Sequence, residues 1–332
     1  MKKNQSLTEW AKSVAKEKNI TIEKQIYEGY YYSREHVRNI IYKVTFKGKS
    51  AVFKIYDDPR VSYEPFAHQN FLKNNRSKIL SAPELYDYEV ASPQKGWLLM
   101  EFLPNGGVFL KSPLTAAQRV EFLKVYLEYR KHYPAKPTRP LLLAEQLPSA
   151  EYHVFRIGCW LDLATKYEAS AQLSHTFFPL TAKEFVPLYT KSIQFIRRVF
   201  RNRPMEWSHG HFKPIEIFKV NASHYYLTDF AHEKMYPQGY EFGFMVWSDW
   251  MTESDWTMAY KKWRKGIYDW VDAFEPVAHK LKINKFNMLA RASLVERALG
   301  VLLTDVASSD GSFQEKKLRS QYLSRLIVEL VL

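Results

Sequence analysis

The chain has 332 residues, of which 46% are apolar and 16% aromatic, so a disordered protein is excluded and a sizeable packed core is expected. Its formal net charge of +13 favours anionic partners, such as a nucleotide, a nucleic acid, a phosphorylated metabolite or a membrane surface. The single cysteine, Cys159, excludes an intramolecular disulfide and a zinc site built from cysteines. Because Cys159 lies in an apolar helical stretch, we expect it to be a core thiol.

The N-terminus lacks the apolar core of a signal peptide, and the sequence contains no run of about 18 apolar residues. We therefore expect a cytoplasmic protein that neither crosses nor binds a membrane.

The N-terminal part of the chain has the pattern of a small sheet with short helices. Residues 6–18 predict an amphipathic helix, and residues 20–57 then change to three β-rich segments separated by turns. A helix is predicted at 62–74, where Pro65 sets its start, and two further strands at 85–92 and 96–104.

The composition changes after Pro104-Asn105-Gly106-Gly107, the best candidate for a linker. Helical patterns follow at 115–133, 151–173, 181–202, 253–279, 285–307 and 312–331, and a hairpin at 208–230 interrupts them. The sequence thus predicts an α+β fold of two lobes. Residues 1–104 form a mainly antiparallel five-stranded sheet with one helix, and residues 105–332 form a mostly helical lobe.

The stretch 208–230 reads SHGHFKPIEIFKVNASHYYLTDF and combines a polar loop with the predicted hairpin. Glu216 and Asp229 fall at neighbouring ends of this hairpin. Carboxylate oxygens are suitable ligands for a hard divalent cation. The pattern therefore predicts a metal site beside a polar loop.

This layout resembles the protein-kinase-like fold, and particularly the aminoglycoside phosphotransferases and choline kinases, over about residues 20–330. The segment Ala51-Val52-Phe53-Lys54-Ile55 is similar to the third-strand lysine motif of that fold. The resemblance implies that Lys54 holds the nucleotide phosphates and that Glu64 orients it. An inward lysine among apolar neighbours is also costly unless it meets an anion.

Two further segments carry the nucleotide expectation. Met100-Glu101-Phe102-Leu103 resembles the hinge of the fold, which implies that the backbone of Glu101 and Leu103 binds adenine. The turn before the second predicted strand lacks a glycine-rich loop. Phosphates are therefore expected to meet the side chains of Ser33, Arg34 and Arg38.

The loop itself departs from the family pattern, which is His-x-Asp with an asparagine five residues after the aspartate. Here His209-Gly210-His211 is followed by Glu216, so His211 occupies the position of the base and Glu216 that of the asparagine. Lys213 matches the lysine that contacts the transferred phosphoryl group in protein kinases. Asp229, thirteen residues after Glu216, keeps the spacing of the metal-binding aspartate.

The resemblance implies ATP- and Mg²⁺-dependent transfer of the γ-phosphoryl group to a hydroxyl of a small molecule. A neutral imidazole at His211 can accept a proton near pH 7, whereas a protonated one would help to bind nucleotide. The acceptor is expected to be lined by residues after Phe230, namely Glu233, Tyr236, Tyr240 and Glu241. The two glutamates in this set suit a cationic acceptor, whereas the net charge of the chain suits an anionic one.

Other interpretations remain open. The changes at His211 and Glu216 are compatible with an inactive pseudokinase that binds a nucleotide or a partner, and the net charge with a nucleic-acid-associated protein. Histidines at 209, 211, 224 and 232, with Glu216 or Asp229, would allow a zinc site without a recognised spacing. Tryptophans at 256, 263 and 270 recur every seven residues, which predicts one packed helix face rather than a base-stacking ladder.

Overall fold

An antiparallel five-stranded sheet organises the N-terminal part of the chain in the computed structural model of the protein. The structure describes residues 6–30, 36–59, 63–134, 136, 137, 139–170, 181–307 and 312–332. The predicted α+β fold, with a small antiparallel sheet and a mostly helical remainder, is confirmed.

The strands are β1 Ile20–Tyr30, β2 Val37–Phe46, β3 Lys49–Asp57, β4 Leu80–Ser81, β5 Leu85–Val90, β6 Lys95–Glu101, β7 Val108–Phe109, β8 Met205–Ser208, β9 Ile217–Asn221, β10 His224–Leu227 and β11 Lys234–Pro237. The helices are α1 Leu7–Glu17, α2 Glu64–Asn74, α3 Ala116–His132, α4 Ser149–Ser170, α5 Ala182–Phe200, α6 Tyr240–Val246, α7 Tyr260–Lys280, α8 Phe286–Ala307 and α9 Phe313–Val331.

The chain divides into two compact units, each discontinuous in sequence. The first unit comprises Met1–Phe109, Glu128–Thr138 and Glu216–Glu233, and the second comprises Leu110–Leu127, Arg139–Ile215 and Lys234–Leu332. The predicted lobe boundary at residue 104 stays a prediction.

In the first unit the strand order of the large sheet is β1-β2-β3-β6-β5, and all neighbours are antiparallel. Side chains of β3 alternate between the two faces. Phe53 and Ile55 enter the core that α1 covers, together with Trp97. Lys54 therefore faces the opposite side, which it shares with the buried Tyr56.

That second face packs against the hairpin segment of the same unit. Tyr56 and Leu98 form a small core with Ala231. The hairpin β9–β10 lies in a four-stranded sheet of order β4-β10-β9-β7. This arrangement explains why a lysine from β3 and an aspartate 175 positions later can be neighbours.

In the second unit α8 is the central helix, and α4, α5, α6, α7 and α9 all contact it. Its inward side chains, including Leu289, Val295 and Leu302, are fully buried. Trp263 and Trp270 are buried on α7, which confirms the packed helix face for these two. Trp256 is buried as well, but it precedes α7 and packs on Trp263 from a turn, with ring centroids 5.8 Å apart.

Two expectations about this unit are wrong. Cys159 is exposed. A helix turns by about 100° per residue, so the buried Ile157 and Cys159 lie on opposite sides of α4. The helix predicted from residue 253 begins only at Tyr260. The preceding π-helical turn ends at Met251, and residues 252–259 form turns and irregular chain. No helix in the described ranges is long and apolar enough to span a membrane.

Candidate active site

Lys54, Glu64 and Asp229 form a buried group of charges in the first unit, called the lysine cluster below. The Lys54 Nζ lies 2.9 Å from Oε1 and 2.7 Å from Oε2 of Glu64, and 3.2 Å from Oδ1 of Asp229. The side chains of Lys54 and Glu64 are 6% and 3% exposed, and that of Asp229 is 25% exposed. Two carboxylates therefore share one ammonium, and Asp229 is the member that faces outward.

Local sequence places each member of this cluster. Lys54 points away from the core of Phe53 and Ile55 because strand side chains alternate. Glu64 is the first residue of α2, where Pro65 fixes the backbone for the helix start and an acidic side chain suits the N-terminal end of the helix. Asp229 has φ 57° and ψ 66°, a left-handed conformation that is uncommon outside glycine. Such strain is often kept at functional positions.

The pKa shifts in this cluster follow from one lysine serving two acids. Burial disfavours the Lys54 ammonium, but the carboxylates of Glu64 and Asp229 outweigh burial and raise the pKa of Lys54 above its ordinary value. Burial raises the pKa of Glu64 to about 7, and the charge of Asp229 adds to this increase against the opposing effect of Lys54. Lys54 is thus charged at neutral pH, and the cluster carries an excess of acid.

Glu216 lies at the same end of the hairpin as Asp229. The pairing of Ile217 with Leu227 brings the residues that flank the two strands together. The Thr228 hydroxyl donates to Oε2 of Glu216 at 3.0 Å, and the Thr228 N–H donates to the Glu216 carbonyl at 3.1 Å. Residues 216 and 228 are therefore held next to each other, directly before Asp229.

Phe230 anchors the backbone that carries Asp229. It is 1% exposed and stacks on His68, with ring centroids 4.8 Å apart, and it contacts Phe71 at 5.2 Å. The His68 Nε2 is 2.7 Å from the carbonyl of Pro83, which fixes that ring. Both contacts join the Asp229 segment to α2, the helix that begins with Glu64.

The remaining residues expected on the nucleotide side are Glu101, Leu103 and Arg38. The Glu101 N–H donates to the Glu84 carbonyl at 2.8 Å at the end of β6, and Leu103, which follows outside the strand, is half-buried. Arg38 pairs with the buried Asp58 at 2.8 Å, so its charge is already partly neutralised. Ser33 and Arg34 lie outside the described residues.

The loop residues His209, His211 and Lys213 belong to the second unit. Gly210 has φ 79°, which favours glycine, and its N–H donates to Oε1 of Glu241 at 3.4 Å. Phe212 is fully buried against Phe122 and Tyr126.

The side chains of this loop differ in how far they are buried. His209 is fully buried, whereas His211 and Lys213 are half-buried. The His211 ring stacks on Phe244, with centroids 4.7 Å apart and planes inclined by 21°.

The residues expected to line the acceptor are mostly engaged elsewhere. Glu233 accepts a hydrogen bond from the Tyr133 hydroxyl at 2.7 Å, and Glu241 accepts one from the Tyr126 hydroxyl at 3.1 Å. Tyr236 and Tyr240 stack on each other at 3.9 Å. All four of the expected lining residues are 5% exposed, which leaves them little surface for an acceptor.

A second group of buried charges was missed from the sequence. Arg156 of α4 and the adjacent Glu296 and Arg297 of α8 meet in the second unit. The one signal in the sequence is a Glu-Arg pair inside the apolar stretch of α8, where helical periodicity would place neither residue at the surface.

Comparison with solved structures identifies the fold. The aminoglycoside phosphotransferase APH(4)-Ia superposes with a TM-score of 0.59 at 12% identity, over 97% of this chain and 98% of that chain. Spectinomycin phosphotransferase APH(9)-Ia, solved with ADP and spectinomycin, gives 0.52 at 12% identity over 99% and 98%. Choline kinase LicA from Streptococcus pneumoniae gives 0.52 at 10% identity over 96% and 99%.

No family model matches the chain, and no curated protein matches it in sequence. The chain therefore has the protein-kinase-like fold in the form shared by aminoglycoside phosphotransferases and choline kinases. This finding confirms the resemblance drawn from the motifs around Lys54 and the 208–230 stretch.

Proposed function

We propose that the protein transfers the γ-phosphoryl group of ATP, with Mg²⁺, to a hydroxyl group of a small molecule. The observation that carries this proposal is the lysine cluster, in which a buried, charged Lys54 is oriented by Glu64 and reaches an outward-facing Asp229. The fold supports it, since one structural neighbour is a ternary complex with ADP and hygromycin B and another is a complex with ADP and spectinomycin.

On the nucleotide side, the Lys54 ammonium binds phosphate oxygens, and Glu64 keeps it in place through both carboxylate oxygens. The raised pKa of Lys54 keeps it protonated over the whole physiological range. The backbone of Glu101 and Leu103 receives the adenine ring.

The residues of the first unit fit a magnesium ion. Asp229 and Glu216 offer carboxylate oxygens, the donor type that Mg²⁺ prefers, and the lysine cluster already holds more acid than base. When bound, magnesium neutralises charge on the phosphates. The Thr228 hydroxyl, which donates to Glu216, orients that carboxylate.

In the transfer step, each of the loop residues has a role. The acceptor oxygen forms a bond to the γ-phosphorus while the bond from that phosphorus to the β,γ-bridging oxygen breaks. The hydroxyl proton passes to a ring nitrogen of neutral His211, and Lys213 contacts the moving phosphoryl group. Because the transition state is loose, a strong base is not essential, and imidazole is adequate. His209, fully buried, positions the loop.

A nucleotide-binding protein without transfer activity is the second candidate. The observation that favours it is the stacking of His211 on Phe244, which holds the ring in an apolar contact at the position of the family's base. Such a protein would bind ATP and release no ADP.

Thermal denaturation of the full-length protein with ATP and Mg²⁺, separately and together, tests the proposal. A ligand at 100 times its Kd stabilises the fold by about 2.7 kcal/mol, so a rise in Tm that needs both components is expected. No rise with any nucleotide would overturn the proposal.

His211→Ala then separates the two candidates. Slower ADP formation with unchanged ATP binding assigns His211 to the chemistry. Unchanged turnover removes that role, and ATP binding without ADP formation in the wild-type protein favours the second candidate.

A further inference from the structure

A buried group of charges in the second unit contains more base than acid. Glu296 of α8 lies between two guanidinium groups: its Oε1 is 3.4 Å from Nη1 of Arg156, and its Oε2 is 3.3 Å from Nε of Arg297. We call Arg156, Glu296 and Arg297 the arginine cluster. His153 also approaches Glu296, with its Nδ1 3.3 Å from Oε1. One carboxylate therefore serves two guanidinium groups.

Burial makes this imbalance costly. Glu296 is 1% exposed and Arg297 is 6% exposed. Within the described part of the chain, Nη2 of Arg297 is buried and has no hydrogen-bond partner. A buried, charged donor without an acceptor is strongly destabilising, so an anion at this position would remove a cost that the protein alone carries.

Aromatic rings surround the two guanidinium groups. The Tyr240 ring lies 4.7 Å from the Arg156 guanidinium carbon and 4.4 Å from that of Arg297. Arg156 also lies over Trp160 at 4.5 Å, and Arg297 over Phe244 at 5.2 Å. These faces hold both groups in fixed planes without supplying a negative charge.

The titratable neighbours respond to a positive potential. Burial alone would raise the pKa of Tyr240, yet the charges of Arg156 and Arg297, together with a hydrogen bond from Arg297, lower it. Burial lowers the pKa of His153, and the two guanidinium groups lower it further against the effect of Glu296. His153 is therefore neutral, and it neither adds to nor cancels the excess positive charge.

The arginine cluster is joined to the loop that carries His211. Phe244 contacts the Arg297 guanidinium on one side and stacks on the His211 ring, with centroids 4.7 Å apart. All of these residues belong to the second unit. A single aromatic ring thus connects the proposed proton acceptor with the excess guanidinium charge.

We propose that the arginine cluster binds an anionic group of the phosphoryl acceptor, so that the acceptor is a small hydroxylated carboxylate or phosphate ester. This inference rests on the proposed function, because it takes His211 as the residue next to the reacting hydroxyl. Arg156, whose side chain is 18% exposed against 7% for Arg297, is the more accessible of the two guanidinium groups. Glu233 and Glu241, which would suit a cation, already accept hydrogen bonds from tyrosines.

The test uses full-length wild-type protein in thermal denaturation with sodium phosphate or sodium acetate, at an ionic strength kept constant with sodium chloride. We expect phosphate, acetate or both to raise the Tm, and the response to each distinguishes a phosphate ester from a carboxylate acceptor. The rise must persist with saturating AMP-PNP and Mg²⁺. A rise that disappears under those conditions reports phosphate at the nucleotide site and overturns the inference.

Arg297→Gln assigns the anion to the cluster. It should weaken anion binding by at least about tenfold, as expected for the loss of a charge-assisted contact. Arg139→Gln is the matched control, because the Arg139 side chain is equally buried, lies over the Trp207 ring and pairs with Glu145. The anion affinity of this variant should match that of the wild type.

Should Arg297→Gln fail to fold, Glu296→Gln provides a test of opposite sign. Removing the competing carboxylate should strengthen anion binding, whereas a cluster that only holds the fold would lose stability with no gain in anion affinity.

The outcomes separate the two proposals. A Tm rise with ATP and Mg²⁺ but with neither anion overturns the anionic acceptor and leaves the proposed function intact. An Arg297-dependent rise with an anion, without any response to nucleotide, overturns the proposed function and with it the assignment of the cluster to an acceptor.

Discussion

The lysine cluster of the first unit and the arginine cluster of the second are both buried, and their charges are unbalanced in opposite directions. In the first, two carboxylates share Lys54; in the second, two guanidinium groups share Glu296. A third buried site is a simple pair, in which Arg139 donates two parallel hydrogen bonds of 2.8 and 2.9 Å to Glu145, so that one base meets one acid.

The three sites differ in whether their own charges balance, and therefore in whether a charged ligand would stabilise them. A pair of one acid and one base, such as Arg139 with Glu145, balances its own charge. An unmatched cluster costs free energy unless a ligand of the opposite sign completes it. We therefore interpret the first cluster as a site for a cation bound with its nucleotide, and the second as a site for an anion.

Breaking the matched pair should have the largest effect on stability. Arg139→Gln leaves the buried Glu145 without its partner and should lower the free energy of unfolding by about 3–5 kcal/mol. Urea denaturation of the full-length protein measures this loss. Anion and nucleotide binding by the folded fraction should be unchanged, and a loss below about 1 kcal/mol would contradict the distinction between matched and unmatched sites.

Stability should also depend on pH through Glu64. Its pKa rises from an ordinary value of 4.5 to about 7 on folding, so the folded state favours the protonated acid. The free energy of unfolding should therefore fall by up to about 3 kcal/mol as pH rises from the ordinary pKa through the folded one. The raised pKa of Lys54 has no effect in this window, since its loss of stability begins only as pH rises past its ordinary value of 10.5.

Glu64→Gln isolates this contribution. The denaturant midpoint of the wild type should fall as pH rises from 5 to 8, and the midpoint of the variant should fall less steeply. Identical slopes would mean that one lysine satisfies both carboxylates, which contradicts an excess of acid in the first unit.

The lysine cluster was predictable because each member belongs to a local pattern. Alternation in a strand turns Lys54 away from its apolar neighbours, a proline beside Glu64 fixes a helix start, and the spacing from Glu216 to Asp229 is that of a short hairpin. What the sequence did not indicate is that Asp229 reaches Lys54 itself. That contact depends on the packing of the hairpin segment against one face of the sheet.

The arginine cluster was not predictable by the same means. Arg156 and Arg297 belong to different helices, and no local pattern relates two helices that meet only in the folded unit. Periodicity was also insufficient for Cys159, because it shows that a stretch is helical without showing which side its neighbours cover. The acceptor lining stays a prediction. The sequence did not indicate that Glu233 and Glu241 accept hydrogen bonds from the tyrosines Tyr133 and Tyr126.

Calorimetric titration of ATP with Mg²⁺ tests the central claim most directly, using full-length wild type, Lys54→Met and Lys43→Met. Lys43 is the matched control, because it lies on the neighbouring strand β2 and forms a more exposed ion pair with Glu23 at 2.9 Å. We predict that Lys54→Met weakens ATP binding by about 10- to 100-fold, as expected for one charge-assisted contact, and that Lys43→Met leaves it unchanged. Equal affinity of the wild type and Lys54→Met for ATP would contradict the assignment of the lysine cluster to a nucleotide site.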